Sequence, residues 1–186
     1  LQNRDEAVVR EEIALRDMIS AQAAETASSS IARSVGDTIA IKMMTSSRFC
    51  SEYVTISTVV RYVGTSAFYL EDLDNPVDTS FTAAEYATLD ATFSGTTWPK
   101  LKEYYGEQYT GAFGLDDADR VAVVVTKEVN KRGSTLGFVS PLDFRLPSGC
   151  ARSNDGELFY GLAPDPDGVH GTVRSHEATL NYYPVL

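Results

Sequence analysis

Histidine is nearly absent from this chain: His170 and His176 are the two in 186 residues. A catalytic zinc takes three protein ligands and a structural one takes four, so two imidazoles six positions apart are a thin supply. His176 and Glu177 open the zinc-helix pattern H-E-x-x-H, but Leu180 stands where the second histidine belongs. Cysteine is as sparse. Cys50 and Cys150 lie 100 residues apart and neither belongs to a C-x-x-C pair, which excludes a zinc ribbon and a thioredoxin-type motif. No apolar run approaches the ~20 residues of a membrane-spanning helix. The nucleophile elbow G-x-S-x-G, the phosphate loop G-x-x-x-x-G-K-[ST] and the dinucleotide turn G-x-G-x-x-G are all missing. Cations are outnumbered, with Lys+Arg 16 against Asp+Glu 26 and a net charge of −10. Nucleic acids and anionic membranes both demand clustered cations, so neither is an expected partner. A signal peptide is not visible either. Leu1 opens a helix-like stretch rather than a cationic segment after Met, so the chain reads as trimmed at its front and at its back.

What is present suffices for one ordinary domain. The hydrophobic fraction is 43%, with ten Tyr and eight Phe, enough for a core in a chain of this length. The cysteines admit two readings, a pair of buried free thiols or a disulfide. Their even count, and the small polar residues around them (Ser46, Ser47, Ser51; Ser148, Gly149, Ser153), point to exposed loops, a Cys50–Cys150 bridge and an exported, oxidising location. Closing so long a loop restricts the unfolded chain by up to ~4–5 kcal/mol.

Two segments organise the chain: a helical arm or pro-segment remnant over 1–33, and an α/β lobe over 34–186. Residues 4–27 carry a narrow apolar stripe of Val8, Leu15 and Ile19 with Met18 and Ala23 alongside, too thin for a central core helix. From Val35 the period changes to two. "VGDTIAIKMM" alternates through Ile39, Ile41 and Met43, "YVTISTVVRYV" follows as a β-rich run, and Gly64-Thr65-Ser66 turns into "AFYLEDL". Thr82 and Glu85 make a capping box, with Tyr86, Ala87, Leu89 and Phe93 as the buried face of the helix it starts. Pro99 suits the first turn of a second short helix and Gly106 its stop. The run Val121–Val125 has no alternation and reads as a strand buried on both faces. "TLGFVSPLDF" and "GELFYGLAP" read as two more strands. The expected fold class is α/β (α+β), a mixed sheet packed with helices.

Few residues offer chemistry. Asp116, Asp117 and Asp119 cluster before the buried strand, and carboxylates alternating on a turn can chelate calcium. The EF-hand glycine and its final glutamate are missing, so an ordinary Asp-rich turn is the plainer reading. Asp165 and Asp167 in "PDPDG" carry the same two readings. Leu158, Phe159 and Tyr160 are expected either on an exposed sheet edge, where an extended peptide can add as a strand, or in a core strand of the same sheet.

One ordered set of motifs adds to this. "DDADRVAVVVTKEVN" with Thr126 and Asn130, then "GFVSPLDF", then Cys150, Ser153, Asn154, Glu157 and Tyr160 in "GCARSNDGELFYGLAPDPDG" resembles the segment upstream of the active-site helix in hyicolysin-type zinc metallopeptidases. The upstream pieces "RYVGTSAFYLED" and "YATLDATFSGTTWPKLKEYYG" resemble that family's early strand pair and first helix, so the likeness spans roughly residues 35 to 186. It implies the upstream, non-catalytic lobe of a secreted or periplasmic zinc metalloendopeptidase, forming the floor of a cleft for a peptide or protein substrate. The zinc belongs to the parent protein, where it polarises the scissile carbonyl and activates water. The family's H-E-x-x-H helix comes after the block matched here. "RSHEATLNYYPVL" is then a connector in turn or extended form, His176 has no catalytic role, and the chain as given is inactive alone. A secreted binding or adhesion module, or a pro-domain, is the alternative.

Overall fold

A computed structural model of the chain describes residues 33–45, 50–105, 115, 120–144 and 149–183. Apart from Arg33, the expected helical arm lies outside the described residues, and so does the turn of Asp116, Asp117 and Asp119.

Alternation builds the first hairpin. β1 (Thr38–Met44) turns Ile39, Ile41 and Met43 inward and leaves Thr38 and Ala40 exposed. β2 (Tyr53–Val63) pairs with it antiparallel, from Thr38 opposite Val59 to Met44 opposite Tyr53. Gly64 closes the next turn with its N–H on the carbonyl of Ala67, 2.8 Å away, and β3 (Ala67–Asp72) returns antiparallel to β2. A register shift between Val60 and Tyr62 bends this pair, so Val60 joins one face of the sheet and Tyr62 the other.

β4 (Val121–Thr126) runs parallel to β3, and β6 (Leu158–Leu162) runs parallel to β4. The three-residue β5 (Gly137–Val139) pairs antiparallel with β6, giving the order β1-β2-β3-β4-β6-β5. The chain is thus α+β, a mixed, curled six-stranded sheet with helices, as its residue pattern implies. Both faces of the sheet are covered. On one, Ile41, Val60, Phe68, Leu70, Val124, Tyr160 and Leu162 meet across the curl. On the other, Tyr69, Val123 and Val125 lie under Phe81, Tyr86 and Leu89. Two-sided burial is why β3 and β4 lack alternation. Each large apolar side chain so enclosed contributes about 1.5–3 kcal/mol relative to exposure.

The second face is covered by α1 (Ala83–Thr92) and α3 (His176–Tyr182). The capping box read from four residues is present: Glu85 N–H donates to Thr82 Oγ1 at 3.3 Å, and Thr82 N–H donates to Glu85 Oε2 at 2.7 Å. A wider helical turn, Phe93–Thr97, joins α1 to α2 (Trp98–Tyr105), which holds Pro99 in its first turn.

Three expectations are corrected. Leu158, Phe159 and Tyr160 do not form an edge, because β6 is hydrogen-bonded to β4 on one side and β5 on the other. In "TLGFVSPLDF" the strand is limited to Gly137–Val139, since Pro141 cannot donate to a ladder and opens a tight helical turn, Pro141–Phe144. "SHEATLNYY" is helical rather than extended: Ser175 Oγ accepts the N–H of Ala178 at 3.1 Å, while Leu180 and Tyr183 pack on the second face. The Cys50–Cys150 disulfide is formed, with Cα atoms 4.9 Å apart. Its setting differs from the one the sequence implied, because Cys150 is buried rather than exposed.

Candidate functional site

Of the residues singled out from "GCARSNDGELFYGLAP", Cys150, Ser153 and Tyr160 gather around Asn154, while the backbone carbonyl of Glu157 accepts the N–H of Ala122 at 2.8 Å. Asn154 Oδ1 accepts the backbone N–H of Lys42 at 2.8 Å, and Asn154 Nδ2 donates to the carbonyl of the same residue at 2.8 Å. A side-chain amide has the donor and acceptor of a peptide unit, so Asn154 pairs with β1 as a single strand residue would. Its Nδ2 also donates to Asp143 Oδ1 at 2.8 Å. Tyr160, fully buried in β6, donates its hydroxyl to Asp143 Oδ2 at 3.0 Å. Ser153 Oγ donates to the carbonyl of Asp143 at 3.0 Å, and Arg152 Nη2 donates to Ser140 Oγ at 3.0 Å. The backbone N–H of Arg152 reaches the carbonyl of Cys50 at 2.9 Å, so the disulfide closes the same knot.

Burial pushes the Asp143 carboxyl above its ordinary range, against the hydrogen bonds of Asn154 and Tyr160, which lower it. Burial likewise pushes the Tyr160 phenol up, and the Asp143 carboxylate adds to that. Both carboxyl oxygens of Asp143 are engaged by donors, and this cluster acts as a frame joining β1, β6 and the turn at Pro141–Phe144.

A second amide works the same way. Asn130 Nδ2 donates to the carbonyl of Ala163 at 2.8 Å, and its Oδ1 accepts the N–H of Ala163 at 3.0 Å. The helical turn Lys127–Asn130 that carries it is capped by Thr126, whose Oγ1 accepts the N–H of Glu128 at 3.2 Å and donates to Asp72 Oδ2 at 2.7 Å. Asp72 is buried and also lies 3.5 Å from Lys127 Nζ. Asn75 completes the corner, accepting the N–H of Lys127 at 2.8 Å and donating to the carbonyl of Val125 at 3.0 Å. In this polar corner at the carboxyl ends of β3 and β4, Thr126 and Asn130 were among the residues that carry the resemblance, whereas Asp72 and Asn75 had no signal in the sequence. Thr126-Lys127-Glu128 also has the form of a helix start.

The remaining candidates separate. Asp165 is fully buried and spends its carboxylate on the backbone N–H groups of Val169 and His170, at 2.9 and 2.7 Å. Both oxygens thereby hold a turn. His176 Nε2 sits 2.9 Å from Glu85 Oε1. Among the described residues no group of three or more His, Cys, Asp or Glu side chains is placed to hold a metal ion. Among them, too, no helix is long and apolar enough to cross a membrane. No family model matches the chain, and no curated protein matches it.

Proposed function

We propose that the chain forms the non-catalytic lobe of an exported zinc metalloendopeptidase of the hyicolysin type, with its sheet as the floor of a peptide-binding cleft. One observation carries this reading. Thr126, Asn130, Cys150, Ser153, Asn154 and Tyr160, which bear the resemblance, are the residues that lock the helical turn, the disulfide and β1 onto the parallel strands. A framework of that kind belongs to a lobe whose shape matters, and the intramolecular disulfide is compatible with an oxidising compartment. Within this reading an extended peptide adds at β5, the terminal strand beside β6, where Val139 is 62% exposed. No metal-dependent step is assigned to the described residues.

The test is to read the codons that follow Leu186 and to compare the encoded longer product with the 186-residue chain. An H-E-x-x-H helix in the continuation, with stoichiometric zinc and casein hydrolysis confined to the longer product, is the expected result. Zinc and hydrolysis in the 186-residue chain itself, lost in His176→Ala, overturn the reading. So does a continuation without the motif whose product takes up no zinc, which leaves a binding module.

A further inference from the structure

One enclosed hydroxyl on the second face makes no hydrogen bond. Tyr86, on α1, is fully buried, and among the described residues its hydroxyl is the single enclosed side-chain polar atom without a partner. Its ring is held in place, 5.3 Å from the ring of Tyr69 and 5.7 Å from that of Phe81. Phe81 in turn meets the ring of Tyr183 at 5.7 Å. Enclosing a hydroxyl unpaired is costly, and phenylalanine would fill the same space without that cost.

An acceptor shares that face. Glu71 stands two residues beyond Tyr69 on β3, so its side chain leaves the sheet on the same side. Its neighbour across the parallel ladder is Val125, a member of the same apolar cluster. The Glu71 side chain is 3% exposed, Arg61 Nε donates to its Oε2 at 2.7 Å, and no described residue donates to its Oε1. Burial pushes the Tyr86 phenol well up, and Glu71 is the charged group that adds most to that push. Burial pushes the Tyr183 phenol up too, with Tyr86, Tyr69 and Glu71 adding to it.

We propose that a single internal water molecule is bound between α1 and β3, accepting the Tyr86 hydroxyl proton and donating to Glu71 Oε1. The hydroxyl needs an acceptor and the carboxylate oxygen needs a donor, and water is both at once. The Tyr183 oxygen gives its own proton to the carbonyl of Leu162 at 2.7 Å, which leaves its lone pairs for the second hydrogen of the water. About three partners are usual for an enclosed water. A cation is a poorer occupant because Arg61 already balances Glu71, and the enclosure of Tyr86 and Glu71 leaves no opening for an organic molecule. The water extends a hydrogen-bonded chain from α1 through Glu71 to Arg61, at the register shift of β2.

Oxygen-17 relaxation dispersion of the solvent tests this, since it reports water held inside a protein for longer than the protein takes to tumble. Compared with the 186-residue chain, Tyr86→Phe is expected to lose the amplitude of one such molecule. Its unfolding constant in urea is expected to rise roughly two- to ten-fold, the effect of one net hydrogen bond. Equal amplitudes in the two chains overturn the proposal. So does a Tyr86→Phe chain more stable than the wild type, the mark of a hydroxyl that was unpaired. Glu71→Leu tests the second partner, and in that background the effect of Tyr86→Phe is expected to vanish or reverse. Should Glu71→Leu fail to fold, Glu71→Gln takes its place, where the effect is expected to shrink because a neutral acceptor holds the water less strongly. An undiminished effect in the background used overturns the bridge to Glu71.

Discussion

Asp143 shows how a buried carboxyl is kept in place. Asp143→Leu removes both acceptors, leaving Asn154 Nδ2 with the Tyr160 hydroxyl at 3.0 Å and that hydroxyl with the Lys42 carbonyl alone. Asp143→Asn keeps one acceptor, and the hydroxyl can turn to the Lys42 carbonyl 3.3 Å away. Urea unfolding should therefore show Leu costing about 1 kcal/mol more than Asn, since a lost hydrogen bond is worth ~0.5–1.5 kcal/mol. Equal losses for the two variants contradict this role. The pH dependence has a definite sign. Because burial raises the folded-state value, the carboxyl adds stability below its unfolded value near pH 4 and loses it as the pH rises through the folded one. A side-chain amide at this position does not titrate, so the advantage of the wild type over Asp143→Asn should shrink from about pH 4 to pH 7. Thermal midpoints across that range check it, and a gap that widens refutes it.

Among the elements, α1 tests the sequence reading most directly. Thr82→Ala removes the acceptor for Glu85 N–H and should cost about 1 kcal/mol in chemical denaturation. α3 depends instead on its seat. A Cβ added at Gly161 comes within 2.5 Å of the Tyr183 hydroxyl, which must leave the Leu162 carbonyl. Gly161→Ala should thus lower amide protection in α3 while β4 keeps its own; unchanged protection in α3 counts against that seat. The contrast explains what was legible beforehand. Thr82 and Glu85 are three residues apart, and the Ile39, Ile41, Met43 alternation fits in one strand, so local pattern carries both. Whether β6 is an edge depends on β5, whose three residues give no periodic signal. Asn154 and Lys42 are 112 positions apart, beyond any local pattern. The helix at His176 is hidden locally because Asn181, Tyr182 and Tyr183 ahead of Pro184 suit a turn, and the apolar seat that Leu180 and Tyr183 take exists only in the fold.

For the molecule as a whole, the disulfide spans 100 residues and joins the β1–β2 turn to the approach to β6. Its reduction should lower the unfolding free energy by up to about 4–5 kcal/mol, with reductant-dependent urea midpoints as the measure. Midpoints that coincide with and without reductant exclude this stabilising role. Another feature reaches past the single molecule. A long unpaired strand at the margin of a sheet is a template on which a second copy can zip, the first step toward fibrils. β1, with seven residues, is the longer margin here, and Asn154 occupies both backbone groups of Lys42 near its middle, while Arg132 takes the carbonyl of Met44 at its end. The opposite margin, β5, is three residues long. The asparagine that fastens the curled sheet thereby also blocks part of that template, and Asn154→Ala should speed the growth of light scattering in concentrated solution even where the fold survives.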